Sequence, residues 1–263
     1  MQCPGPAVDR TAFRVNMHAA DQLIAPTSSS RQPLAPVRRL LSMAQPLVVF
    51  VLGRPGSGKG TQCSKICQVS GDQLHRRVFQ TNAASRPRLP AQAFDFVHLS
   101  AGDLLREEQN TPSSQYGSLI ADCIVSARIV PVDITCSLLE KAMRKHMAAG
   151  DRIGRFLIDG FPRNQDNYDG WQRNMSGKVN VAFVLYFDSP EDVCMERCLN
   201  RGKAGSGRAD DNEYSLRKRM TTFSSQTWPI IQQYEAEGKV RTVDGSRDPE
   251  QVFDDVRRVF SQL

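Results

Sequence analysis

The apolar run Leu47 to Leu52 passes directly into Gly53-Arg54-Pro55-Gly56-Ser57-Gly58-Lys59-Gly60-Thr61, and no other stretch restricts the fold as much. The run is far shorter than the roughly 20 residues of a membrane-crossing helix, and its valines suit a strand buried on both faces. The glycines that follow let the backbone turn its N–H groups inward around an anion. A helix opening at Lys59 adds the partial positive charge of its N-terminus. Strand, glycine-rich loop and helix together predict a phosphate-binding loop. Its candidate contacts to a nucleoside triphosphate are Gly56, Ser57, Gly58, Lys59, Gly60 and Thr61, with Lys59 as a point charge for the β- and γ-phosphates.

Such a unit needs a parallel sheet around it. From Pro46 onward short β-rich runs alternate with longer amphipathic stretches, the pattern of a sheet covered on both faces by helices. Strands are expected at Leu47–Leu52, Val97–Leu99, Phe156–Ile158, Val181–Phe187 and Lys239–Val243. Helices are expected at about 59–68, 100–109, 115–127, 133–148, 164–174, 190–201, 212–236 and 248–261. Pro190 after Ser189 and Pro249 after Asp248 suit first helical turns, where a missing N–H costs nothing. The fold class that follows is α/β, a three-layer P-loop fold with a five-stranded parallel sheet.

The net charge of +6 would suggest a nucleic-acid partner if it formed one face. It does not. Residues 1–44 carry five arginines against two aspartates, residues 69–92 carry four against one, and the remainder is neutral overall. Neither segment resembles core, so no nucleic-acid partner is expected, and no membrane partner either. Residues 1–44 lack periodicity and are expected to be a disordered extension ahead of a domain at 45–263. Asp9 and Asp21 argue against a mitochondrial transit peptide, which is poor in acids, so the expected location is the cytoplasm, extending to the nucleus. Residues 69–92, where a short helix-to-strand connection belongs, are expected to loop out. The seven cysteines suggest reduced thiols, and the four scattered histidines show no metal-site spacing, so no structural zinc is expected.

Further blocks follow the loop in order: His98-Leu99-Ser100-Ala101-Gly102-Asp103-Leu104-Leu105-Arg106, Ile129-Val130-Pro131, Asp159-Gly160-Phe161-Pro162-Arg163 and Gly207-Arg208-Ala209-Asp210-Asp211-Asn212. With Gly60 between the lysine and the threonine, these blocks resemble the adenylate kinase superfamily of nucleoside monophosphate kinases over about 45–263, apart from 69–92. The resemblance implies a short lid at 202–211 and a helical segment at 100–130 that binds the acceptor monophosphate. It also implies ATP with Mg2+ as donor, and a monomer acting on small molecules. By the same resemblance Arg106 and Arg163 grip the acceptor phosphate, Arg201, Arg208 and Arg219 close over the transferring group, and Arg197 stacks on adenine. Lys59, Arg163, Arg208 and Arg219 are thus the candidate catalytic residues, and Asp159 would hold the magnesium ion through water. Ser100, Ala101, Ile129, Val130, Gly160 and Asn167 complete the implied acceptor site, with Arg106, Arg163, Arg208 and Arg219. No general base is needed, because the acceptor phosphate, with a second pKa of about 6, is already mostly dianionic at neutral pH.

Two positions point to the acceptor base. Adenylate kinases carry Thr where this chain has Ala101 and Gln where it has Asn167, whereas Asn164-Gln165-Asp166-Asn167 resembles the UMP-CMP kinase family. A shorter amide can address the edge of a smaller ring. Phosphorylation of UMP, CMP and dCMP is therefore the expectation, with adenylate kinase activity or a nucleotide-binding relative without transferase activity as the alternatives. Arg54, where the family has a small residue or Pro, and a lid one residue longer than usual are the departures from the pattern.

Overall fold

Val48, Val49, Phe50, Val51 and Leu52 are all buried, so the first strand can only lie inside a sheet covered on both sides. The structure, a computed structural model, describes residues 45–68, 94–148, 154–205, 208 and 210–263. The expected extension 1–44 and the segment 69–92 lie outside the described residues, as do Ser206, Gly207 and Ala209 of the expected lid.

Among the described residues five strands form one parallel sheet: β1 (Leu47–Gly53), β2 (Val97–Ser100), β3 (Arg155–Asp159), β4 (Asn180–Asp188) and β5 (Val240–Asp244). Their order is β2-β3-β1-β4-β5, with β1 in the middle. The helices are α1 (59–68), α2 (Ala101–Gln109), α3 (Gly117–Val125), α4 (Val132–Ala148), α5 (Gln165–Met175), α6 (Glu191–Lys203), α7 (Glu213–Thr222), α8 (Trp228–Ala236) and α9 (Pro249–Phe260). Among the described residues no helix is long and apolar enough to cross a membrane.

Alternation along β1 divides the core. Val48, Phe50 and Leu52 join Leu139, Trp171 and Tyr234 of α4, α5 and α8 on one face. Val49 and Val51 join Cys63, Ile66, Phe253 and Val256 of α1 and α9 on the other. Phe50 meets Trp171 edge-on at 5.1 Å between ring centroids, a favoured aromatic geometry. A third, smaller cluster, Leu105, Ile120, Cys123, Val130 and Ile134, ties α2, α3 and the start of α4 together.

Three expectations change in detail. The helix expected over 212–236 is three elements, because a π turn, Phe223–Thr227, separates α7 from α8. Pro229 has no N–H to give and its ring crowds the carbonyl four residues back, so the chain widens there and the Trp228 N–H reaches Phe223 O. Pro190 lies outside the first turn of α6: its ψ of 147° is extended, and its carbonyl accepts from the Cys194 N–H as an N-cap should. Pro249 does open α9, behind an Asp248 cap. Finally, α6 runs through Lys203, so the expected lid begins inside its last turn.

Candidate active site

Because β1 is flanked by β3 and β4, the chain leaves the sheet in different directions at its carboxyl edge, and a crevice opens there. Gly53 ends β1, Asp159 ends β3 in register with Val51, and Ser100 ends β2 opposite Asp159. The crevice widens into a cleft of about 620 Å³.

Gly53, Gly56 and Gly58 have φ of 151°, 87° and 88°, conformations open to glycine. At Gly56 a Cβ would also stand 2.3 Å from the Cys194 carbonyl oxygen, so the loop is seated against α6. Lys59 folds over its own loop: Nζ donates to Gly53 O at 2.8 Å, Arg54 O at 2.7 Å and Ser57 Oγ at 3.3 Å. Burial pulls this ammonium below its ordinary pKa and the Asp159 charge opposes the shift. Arg54, the departure from the family pattern, turns away from the cleft. Its Nη1 donates to Ser189 O at 3.2 Å, and its guanidinium lies 5.1 Å from the centre of the Phe223 ring.

The cleft wall carries all six arginines singled out in the sequence: Arg106, Arg163, Arg197, Arg201, Arg208 and Arg219. Carboxylates hold four of them in place. Arg201 makes a two-pronged pair with the fully buried Asp211 side chain, Nη2 to Oδ1 at 2.6 Å and Nε to Oδ2 at 2.8 Å. Arg219 lies 2.9 Å from Asp210 Oδ2, and Asp103 pairs with both Arg106 and Arg208, the latter at 3.5 Å. Arg197 donates to Gly245 O at 2.7 Å and Ser246 O at 2.8 Å, tying α6 to the loop after β5. Although water reaches Arg163 in the cleft, the enclosing protein and the Arg219 charge hold its guanidinium below the ordinary pKa, with Asp159 opposing. So many cations around one space repel each other, and a polyanion bound there relieves the repulsion.

The cleft is also lined by Ser100, Ala101, Ile129, Val130, Gly160 and Asn167. Ser100 Oγ caps α2 by accepting from the Asp103 N–H at 3.2 Å. Gly160, at φ 75°, offers its carbonyl to Arg163 Nε at 2.7 Å. Asn167 is 2% exposed; its Oδ1 accepts from the Arg163 N–H at 3.3 Å, while its Nδ2 has no hydrogen-bond partner among the described residues. A buried amide donor left unpaired beside a cleft is costly unless a ligand accepts from it.

The structure thus places every candidate donor, acceptor and magnesium residue expected from the sequence, from Gly56 to Thr61 through Arg219, on one cleft. Reading the sequence for cations overlooked their acidic partners Asp103, Asp210 and Asp211, although the last two stand in the block around Arg208. It also missed Thr227, whose hydroxyl donates to Arg163 O at 2.8 Å from the π turn. No signal in the linear order marks that contact. The absence of metal-ligand spacing was equally uninformative, since Cys63, His98 and Asp159 converge from three elements.

Comparison with known proteins fits this geometry. Residues 85–239 match the adenylate kinase family. The chain is 49% identical over 218 residues to the UMP-CMP kinase of Homo sapiens, which covers 83% of this chain and 98% of the relative. Against the UMP-CMP kinase of Xenopus laevis it is 50% identical over 216 residues, 82% of this chain and 99% of the relative. The relative from Gallus gallus, likewise a UMP-CMP kinase, is 49% identical over 218 residues, 83% of this chain and 98% of the relative. With a phosphate loop, a ring of arginines and these relatives, the chain is a phosphotransferase that belongs to the adenylate kinase family, among its UMP-CMP kinases.

Proposed function

We propose that this chain transfers the γ-phosphoryl group of ATP directly to the phosphate of UMP, CMP or dCMP. The observation that carries the choice of acceptor is the buried, unpaired Nδ2 of Asn167. With Oδ1 engaged by the Arg163 N–H, the amide is a donor seeking an acceptor. Uracil and cytosine share a ring carbonyl that can meet it, which is why one site serves both. Ala101, also on the cleft wall, ends at its methyl group and takes up less of the cleft than a threonine would.

The glycine-rich loop and Lys59 hold the donor phosphates, while Arg106 and Arg163 hold the acceptor phosphate opposite them. An acceptor oxygen attacks the γ-phosphorus as the bond to the bridging oxygen breaks, and ADP leaves. Negative charge that develops on the transferring group and the leaving oxygen falls among Lys59, Arg163, Arg208 and Arg219. Arg201 and Arg219 are held ready by Asp211 and Asp210. Magnesium, when bound with ATP, neutralises phosphate charge. Asp159 suits it as a carboxylate beside the loop, 14% exposed, able to hold the ion through waters. Closure of 202–211 would exclude water, which would otherwise accept the phosphoryl group.

The proposed site is complete within one chain and needs no residue from a second copy. The extension 1–44 and the segment 69–92 are left outside the chemistry. The test is ATP consumption by the purified protein with UMP, CMP, dCMP and AMP in parallel. Pyrimidine monophosphates are the expected acceptors, and a preference for AMP would refute the role given to Ala101 and Asn167.

A further inference from the structure

Behind the phosphate loop, three side chains that the proposed transfer does not use together come close. Cys63 is carried by α1, His98 by β2 and Asp159 by the end of β3. The thiol sulfur, an imidazole nitrogen and a carboxylate oxygen all lie within 4.8 Å of one another. Cys63 is fully buried, whereas His98 and Asp159 also line the cleft. His98 Nε2 is a buried atom with no hydrogen-bond partner among the described residues, and Asp159 Oδ2 stands 3.5 Å away from it.

We propose that Cys63, His98 and Asp159 bind a thiophilic divalent cation, zinc or an ion of its class, and that its binding stops phosphoryl transfer. Sulfur, nitrogen and oxygen are the three donor types zinc accepts together. Zinc bonds of about 2.0–2.3 Å need donors roughly 3.3–3.8 Å apart, so modest side-chain rotation from the present spacing closes the site. Three protein donors leave a fourth position, and the side on which His98 and Asp159 face the cleft is where a water or phosphate oxygen would complete it. Magnesium is a poor occupant, because a hard ion prefers an all-oxygen shell. On binding, the Cys63 sulfur–hydrogen bond gives way to a sulfur–metal bond, the proton leaves to solvent, and no electrons are exchanged. Asp159 is then withdrawn from the waters of the ATP-bound magnesium, and a second positive charge appears beside Lys59. Only this inhibitory half rests on the role given to Asp159 in the proposed function; the binding half does not.

The experiment uses the full chain. Cobalt, a spectroscopic substitute for zinc, is titrated into the wild type, Cys63→Ser, His98→Asn and Cys67→Ser, and absorption is followed for tetrahedral and thiolate-to-cobalt bands. In parallel, transfer from ATP to UMP is measured at fixed magnesium, with free zinc clamped by a metal buffer. Expected are bands saturating at one cobalt per chain in the wild type and Cys67→Ser, and a loss of rate of about tenfold or more that a chelator reverses. Cys63→Ser and His98→Asn should lack the bands, and zinc should leave each at its own zinc-free rate. Because Cys63 is buried, its variant could fail to fold; His98→Asn at a partly exposed position keeps the question decidable. Bands that survive both substitutions, or zinc inhibition equal in wild type and both variants, would overturn the site. Bands in the wild type with an unaffected rate would overturn the inhibitory half. A chain that shows the bands but transfers to no monophosphate without zinc would instead refute the proposed function and leave the metal site standing.

Discussion

Replacing Lys59 by Met separates what the phosphate loop does for the fold from what it does for the reaction. Methionine keeps most of the length of the side chain and removes its charge. A unit charge about 4 Å from a phosphate oxygen is worth about 4 kcal/mol at an effective dielectric constant of about 20. Mutational losses of single oxyanion donors, about 2.7–4 kcal/mol, give a similar figure. The rate of transfer should therefore fall by roughly a factor of 10³. Stability should hardly move. Three hydrogen bonds, to Gly53 O, Arg54 O and Ser57 Oγ, are lost, but the cost of desolvating the ammonium disappears with them. A residual change of about 1 kcal/mol would shift the melting temperature by roughly 2–4 °C in a domain of this size. The assay is steady-state transfer to UMP beside a thermal melt. A variant that keeps more than about a tenth of the wild-type rate would contradict the role given to Lys59, and a collapsed melt with the rate lost would show a structural role instead.

Asn167→Gln combined with Ala101→Thr should weaken UMP and CMP and admit some AMP, because specificity is a difference between two binding energies; unchanged acceptor ratios would mean that the base is recognised elsewhere. Gly56→Ala should destabilise the domain by at least about 2 kcal/mol, since φ of 87° and a Cβ 2.3 Å from Cys194 O act together. Gly60→Ala, with open space around its Cβ and a helical backbone, should instead raise the melting temperature slightly, and equal effects of the two on a thermal melt would refute the argument. Asp211→Asn weakens the pair with Arg201 and the charge facing Arg219, so we expect a loss of about 2 kcal/mol, discounted for the exposure of Arg201, together with slower transfer. A denaturant melt and a kinetic run on the same sample check both effects.

Much of this protein is written locally. The run Leu47–Leu52, the glycines after it and the lysine at a helix start determine a buried strand and an anion-binding turn, because each depends on neighbours within a few residues. The succession of short β-rich runs and longer amphipathic stretches determined the five strands and most helix boundaries to within a residue or two. Pro229 could have announced the break in the helix over 212–236, since a missing N–H is a local fact. The order of strands and the meeting of side chains were beyond local reach. That β1 lies between β3 and β4 is set by hydrogen-bonded ladders along both of its edges, and it brings Asp159, Ser100 and Gly53 to one edge. The pairing of Asp211 with Arg201, the hydroxyl of Thr227 beneath Arg163 and the empty hand of Asn167 Nδ2 exist only once separate elements are in contact. Cys63, His98 and Asp159, spread along the chain without a motif, become neighbours for the same reason: distance in the sequence carries no information about distance across a parallel sheet, where each crossover returns the chain to the same edge.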